Sequence, residues 1–226
     1  ILLRFDSNTV VYSGDISVSR QKTVDGMLPI DFIKTDVLII ESTYGGKQHP
    51  SRKEEERKLA LAIAEVIESG GTVLIPSFAL GRAQEIILSL RSFMISGVIP
   101  EFPVYVDGMV RDICDVYEEF FSDLSVKLQN YVRSSDGEIF WSNKPLVKKL
   151  EPDERITMFT GEPKCIVSSS GMLTGGPSVY YAKVLAPDKK NAIFLTGYQD
   201  EESPGRKLQE LKFYPNLPKT KKISKS

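Results

Sequence analysis

The chain is 226 residues long, 41% hydrophobic and 26% charged, the proportions of an ordinary globular protein with length for one large domain or a domain and a half. Its 29 basic and 30 acidic residues leave a net charge of −1, so overall charge neither demands nor forbids a nucleic-acid partner, and only local patches can argue for one. No apolar run approaches the roughly 20 residues of a membrane helix, and the two cysteines make neither a disulfide framework nor a metal cluster, which fits no membrane partner and a reducing, cytoplasmic setting.

Residues 2–5 and 9–12 (TVVY) around Asp6, Ser7 and Asn8 predict an antiparallel hairpin, and Asp15 follows it beside Gly14. The opening residues do not read as a signal peptide, and the chain is expected to start inside a domain. Residues 17–29 are polar and irregular, and 30–34 connect to a second apolar run, 37–40, which delivers Glu41 into the turn Ser42-Thr43-Tyr44-Gly45-Gly46. Two β-rich runs thus each end in a carboxylate beside a glycine turn. Either acid alone is explained by hydrogen bonds to turn amides; the pair points to strand ends where open α/β sheets bind ligands.

Ser51 with Glu54 three residues on is a capping-box pattern, and Leu59, Ile63, Val66 and Ile67 recur at helical spacing until Gly70 and Gly71. The charged run 52–58 reads as the solvated first turns of that helix, with its acids favourably placed for the dipole. Residues 72–76 form a strand leading through Ser77 and Gly81 into a helix over 82–95. A strand at 103–106 ends at Asp107 and Gly108, before a helix from Met109 to about 121. Short helices are expected at 124–131 and 144–150. A strand at 165–167 then runs into Ser168, Ser169, Ser170 and Gly171, a helix covers 178–185, a last strand 191–195, and a last helix 204–211. Cys114 and Cys165, among apolar neighbours, are expected to be buried free thiols. The tail, with Lys212, Lys219, Lys221, Lys222 and Lys225, is a linker or a basic arm.

Strands alternating with helices predict an α/β fold with a mostly parallel sheet flanked by helices, in which every strand's carboxyl end lies on one edge. That edge collects Ser77, Asp107, residues 168–171 and Gly197. Hydroxyls, glycine amides and helix amino termini together suit a phosphate-bearing ligand, although each loop alone is also an ordinary strand-to-helix turn.

Four phrases taken together, YSGDIS at 12–17, LIIESTYGG at 38–46, IPSFALGRAQE at 75–85 and SSSGMLTGGP at 168–177, with GYQDEESPGR at 197–206, resemble the β-CASP branch of the metallo-β-lactamase superfamily. That branch holds zinc-dependent ribonucleases such as ribonuclease J, archaeal relatives and the endonuclease subunit of the cleavage and polyadenylation machinery. The resemblance implies the last part of a first metallo-β-lactamase αββα half over 1–45, a β-CASP domain over 46–211, and a linker over 212–226 back to a missing half.

Carried over by position, Asp15 matches the aspartate that bridges two zinc ions, and Glu41 the acid that holds a later histidine for proton transfer. Ser77, Arg82, Ser170, Gly171 and Met172 match the cap that faces the metal site across an RNA cleft. The family's zinc-binding histidines have no counterpart here, and His49, the one histidine, reads as a structural residue of the cap before a ligand. The resemblance therefore implies a two-zinc ribonuclease acting on single-stranded RNA in the full-length protein, with this chain alone inactive and its zinc site absent or incomplete. It leaves open a non-catalytic RNA-binding or scaffolding subunit, a homodimer or a place in a processing complex, endonuclease or 5′-to-3′ exonuclease action, and DNA as a substrate.

Overall fold

A computed structural model describes residues 1–28, 34–48, 50–135 and 137–210 of the chain, and divides its strands between two sheets. In the first sheet β1 (Leu2–Phe5) pairs antiparallel with β2 (Asn8–Tyr12), Leu2 opposite Val11 and Phe5 opposite Asn8, as the hairpin pattern predicts. β3 (Val37–Ile39) lies parallel to β2, with Val10 opposite Val37 and Tyr12 opposite Ile39. The Ser13 amide donates to the Ile39 carbonyl at 2.9 Å, one residue beyond β2. Gly14, at φ 61, then turns the chain away, so that Asp15 and Glu41 leave the same edge of this sheet.

The second sheet takes β4 (Val73–Pro76), β5 (Val104–Asp107), β6 (Ser142–Asn143), β7 (Leu146–Lys149), β8 (Cys165–Ser168) and β9 (Ala192–Ile193) in the order β6-β7-β5-β8-β4-β9. Every neighbouring pair is parallel except β6 with β7. Around it stand α1 (Arg52–Glu68), α2 (Arg82–Ile95), α3 (Met109–Glu119), α4 (Val126–Ser134), α5 (Pro177–Leu185) and α6 (Pro204–Glu210).

Side chains alternate along each strand between two apolar layers. Val73 and Ile75 of β4, and Cys165 and Val167 of β8, join Ile63 of α1, Ile87 of α2, Val110 of α3 and Leu128 of α4. Leu74 and Ile166 join Leu150, Met158, and Tyr181 and Leu185 of α5. Burial on both faces is why β4 and β8 read as unbroken apolar runs. Cys114 and Cys165 are buried free thiols, as expected.

Two expectations need correction. Residues 144–150 form no helix: Pro145 withdraws an amide at the β6–β7 turn, and β7 lays Val147 beside Val104 while its lysines stay nearer solvent. Ser51 stands at the N-cap of α1, yet its side chain makes no capping hydrogen bond. A capping box does form at Glu151 and Glu154, opening a 3₁₀ segment over Pro152–Phe159 that the sequence pattern did not reveal. Most of the 30–34 connector, His49, Leu211 and the basic tail lie outside the described residues. Among the described residues no helix is long and apolar enough to cross a membrane.

Candidate nucleic-acid interface

The two acids meet at the edge of the small sheet. The Glu41 amide donates to Ser13 Oγ at 3.0 Å, and the Thr43 amide returns to the Glu41 carboxylate at 2.9 Å. That amide, with the Thr43 hydroxyl and the Ile16 amide, outweighs slight burial and holds the Glu41 carboxyl below its usual range. Ile16 directly follows Asp15, so the Glu41 carboxylate touches the neighbour of the other acid. Asp15 itself is exposed.

From Asp15 the chain runs as an irregular strap, residues 17–28, across to the second sheet's helices. Thr23 is buried there, and the Glu85 carboxylate of α2 receives its amide at 2.8 Å, its hydroxyl at 2.7 Å, the Lys22 amide at 2.9 Å and Arg52 Nη2 at 2.8 Å. Ser125, the N-cap of α4, donates its amide to the Thr23 carbonyl at 2.7 Å and its hydroxyl to the Lys22 carbonyl at 2.6 Å. Glu56 joins Lys22 Nζ at 2.5 Å to Arg52 Nε at 3.0 Å. The charged run 52–58 is therefore not simply solvated, because Arg52 and Glu56 close this junction while Glu55 is buried.

Arg82, the first residue of α2, is half-buried beside that network. Burial and then the Arg52 charge push its guanidinium pKa down, against the pull of Glu85, Glu56 and Tyr44. Tyr44 belongs to the turn after Glu41, so the acidic edge and Arg82 lie within electrostatic reach. Among the described residues Arg82 makes no side-chain hydrogen bond or ion pair.

The amino ends of α2, α3 and α5 open on the carboxyl edge of the large sheet, where two of the expected groups are already committed. Ser77 is buried, with its hydroxyl turned to the Ile75 carbonyl at 3.3 Å. Asp107 is fully buried and receives Arg155 Nε at 2.7 Å, Arg155 Nη2 at 3.0 Å, the Tyr181 hydroxyl at 2.7 Å and the Gly108 amide at 2.6 Å. Burial alone would push its carboxyl up. Those four bonds and the Arg155 charge outweigh burial and hold it below the usual aspartate range.

The loop from Ser170 to Met172 lies across the end of β4: a Cβ on Gly171 would stand 2.8 Å from the Phe78 amide nitrogen. Gln199 Nε2 donates to the Gly171 carbonyl at 2.9 Å, and the Gly205 amide, in the first turn of α6, to the Met172 carbonyl at 3.0 Å. Ser170 Oγ takes the Thr174 amide at 2.9 Å and the Gly175 amide at 3.3 Å, leaving Ser170 and Met172 half-buried at the rim.

The model of the Beta-Casp domain family matches residues 83–208. This chain belongs to that family, in the β-CASP branch of the metallo-β-lactamase superfamily. It is 42% identical over 214 residues to an RNase J-like protein of Methanocaldococcus jannaschii, covering 93% of this chain and 48% of that one. It is 37% identical over 216 residues to RNase aCSPSF2 of Saccharolobus solfataricus, covering 91% and 39%. It is 36% identical over 206 residues to transcription termination factor FttA of Methanothermobacter thermautotrophicus, covering 90% and 32%. The chain thus spans about half, or less, of the length of these relatives.

The β-CASP sheet accordingly carries Arg82 and the Ser170–Met172 loop at its strand-end rim, while the small sheet carries Asp15 and Glu41. Glu85, Thr23, Asp107's partner Arg155 and Tyr181 are structural supports of these edges that the sequence did not single out. Among the described residues no group of three or more His, Cys, Asp or Glu is placed to hold a metal ion.

Proposed function

We propose that the full-length protein hydrolyses phosphodiester bonds of single-stranded RNA, and that this span supplies both an acidic edge and a phosphate-gripping rim to that site. The observation that carries the reading is the pairing of an acidic edge, with Asp15 and an ionised Glu41 just beyond the ends of adjacent parallel strands, with a half-buried arginine that has no carboxylate of its own. A desolvated guanidinium beside a second arginine favours an anion, and its planar fork suits a phosphate. The half-buried Ser170 and Met172, with Gly171 beneath them, offer a second rim contact along the backbone of the RNA. Ser77 is left out of the contact set because its hydroxyl is buried.

Zinc chemistry requires about three or four donors per ion. Asp15 and Glu41 fall short of that, so the described residues do not by themselves fit a zinc centre. Asp15 is assigned as the one donor that this span would contribute, and Glu41 as a fixed acceptor that orients a donor from outside it. Backbone phosphates dominate affinity in such a cleft, so binding falls with salt. In the full-length protein, Asp15→Ala is expected to lower cleavage of a labelled single-stranded RNA at least about a hundredfold while RNA binding persists. Arg82→Ala is expected to weaken binding of every RNA alike and to reduce the salt slope by about one. Undiminished cleavage by Asp15→Ala would overturn the metal-ligand assignment; RNA binding without cleavage in the unaltered protein would favour a non-catalytic subunit.

A further inference from the structure

Glu85 lies three residues after Arg82 on α2, the spacing at which an acid and an arginine on one helix ordinarily pair. They do not pair here, and the geometry explains why. A carboxylate has about four lone-pair sites, and those of Glu85 face four donors: the Thr23 amide and hydroxyl on Oε1, the Lys22 amide and Arg52 Nη2 on Oε2. Glu56, the other acid nearby, is held by Lys22 Nζ and Arg52 Nε. The strap therefore does two things at once. It ties the segment leaving Asp15 to α2, and it occupies the lone pairs with which the Glu85 carboxylate could otherwise bond Arg82.

We infer that Glu85 is a positioning residue for RNA binding, held by the Lys22–Thr23 strap so that Arg82 faces the acidic edge with its guanidinium free for phosphate. This rests on the proposed reading of Arg82 as a phosphate contact. An engaged strap keeps Arg82 available, and a loosened strap lets Glu85 turn to it and withdraw it from RNA. The strap and the arginine are thereby interlocked through one side chain, although strap and helix are over 60 residues apart in sequence.

The test is a double-substitution cycle in the full-length protein, read as affinity for a labelled single-stranded RNA across a salt series. Thr23→Ala removes one donor from Glu85 and leaves its charge. It is expected to weaken binding about fivefold and lower the salt slope, and to have no further effect in the Arg82→Ala background. Adding Glu85→Gln to Thr23→Ala removes the competing charge and is expected to restore most of the affinity. Equal weakening by Thr23→Ala with and without Arg82 would make the strap merely structural and overturn the inference, as would no weakening in either. If the Glu85→Gln protein does not fold, the Thr23 and Arg82 pair alone decides. Wild-type affinity and salt slope in Arg82→Ala would instead defeat the phosphate-contact reading.

Discussion

The two sheets are built from similarly apolar strands and meet opposite fates. β4 and β8 are buried along their whole length, whereas β1 and β3 are exposed throughout. Leu2, Leu3, Phe5, Val37, Leu38, Ile39 and Ile40 stand 41–58% exposed. An apolar side chain contributes through the surface it removes from water, so the same residue types do much for the large sheet and little for the small one. Their acids differ in the same sense. Asp107 is enclosed by Arg155 and Tyr181 and works as a brace, while Asp15 is exposed to solvent. The large sheet carries the stability of this span, and the small sheet leaves its acidic edge open to solvent.

The sharpest test of that contrast is a pair of aspartates. Asp107→Ala removes a fully buried carboxylate and leaves the buried Tyr181 hydroxyl and the half-buried Arg155 guanidinium without their acceptor, and is expected to cost about 3–5 kcal/mol in urea unfolding. Asp15→Ala is expected to leave the urea midpoint unchanged. The pH dependence has a definite sign. A carboxyl whose folded pKa is depressed contributes stability that is complete above its unfolded value and is lost as pH falls through the folded one. Stability should therefore decline below the ordinary aspartate range, and Asp107→Asn should flatten that decline. A similar midpoint for both alanine variants would erase the distinction drawn between brace and exposed acid.

Apolar truncation probes the same divide with a smaller difference. Ile166→Ala opens a cavity in a fully buried site and is expected to cost about 2–5 kcal/mol. Leu38→Ala, at a residue 58% exposed, should stay within about 0.5 kcal/mol when made in this span. The same Leu38 change in the full-length protein sharpens the comparison: a rise toward the Ile166 value would show that residues outside this span cover the small sheet.

The sequence disclosed the elements wherever one period ran long enough to count. The α2 stripe of Ala83, Ile86, Ile87, Leu90 and Met94 predicts its limits, and the glycines after α1 and before α5 mark theirs. β7 eluded it because one buried valine between lysines and a leucine fits a helical turn as well as a strand. At the candidate site, Asp15 and Glu41 stood out in the sequence because each follows an apolar strand at a glycine turn. Arg155 was not, because its partner Asp107 lies 48 residues away and nothing local marks the pairing. Glu85 sits off the apolar stripe of α2, and its burial arises from a strap that has no periodicity to read. An acid extending the buried strand PVYV was the one available signal for Asp107, since such a carboxylate needs a partner.

The large sheet's polar groups are not uniformly well matched, and Glu118 on α3 offers the gentlest way to show it. Burial pushes its carboxyl up; the Phe140 amide opposes this, Asp115 adds to it, Lys149 opposes it and Glu138 adds again. An acid whose folded pKa is raised is carried charged at neutral pH at a cost, and that cost vanishes once the pH falls below its ordinary range, where both states are protonated. Glu118→Gln should therefore raise the urea midpoint at neutral pH and leave it nearly unchanged in acid. That is the opposite sign to Asp107→Asn, from a carboxylate in the same half of the molecule. A loss of stability at neutral pH would mean that the Phe140 amide at 3.5 Å is a stronger tie than its length suggests, and that this corner of the sheet depends on the charge it was expected to shed.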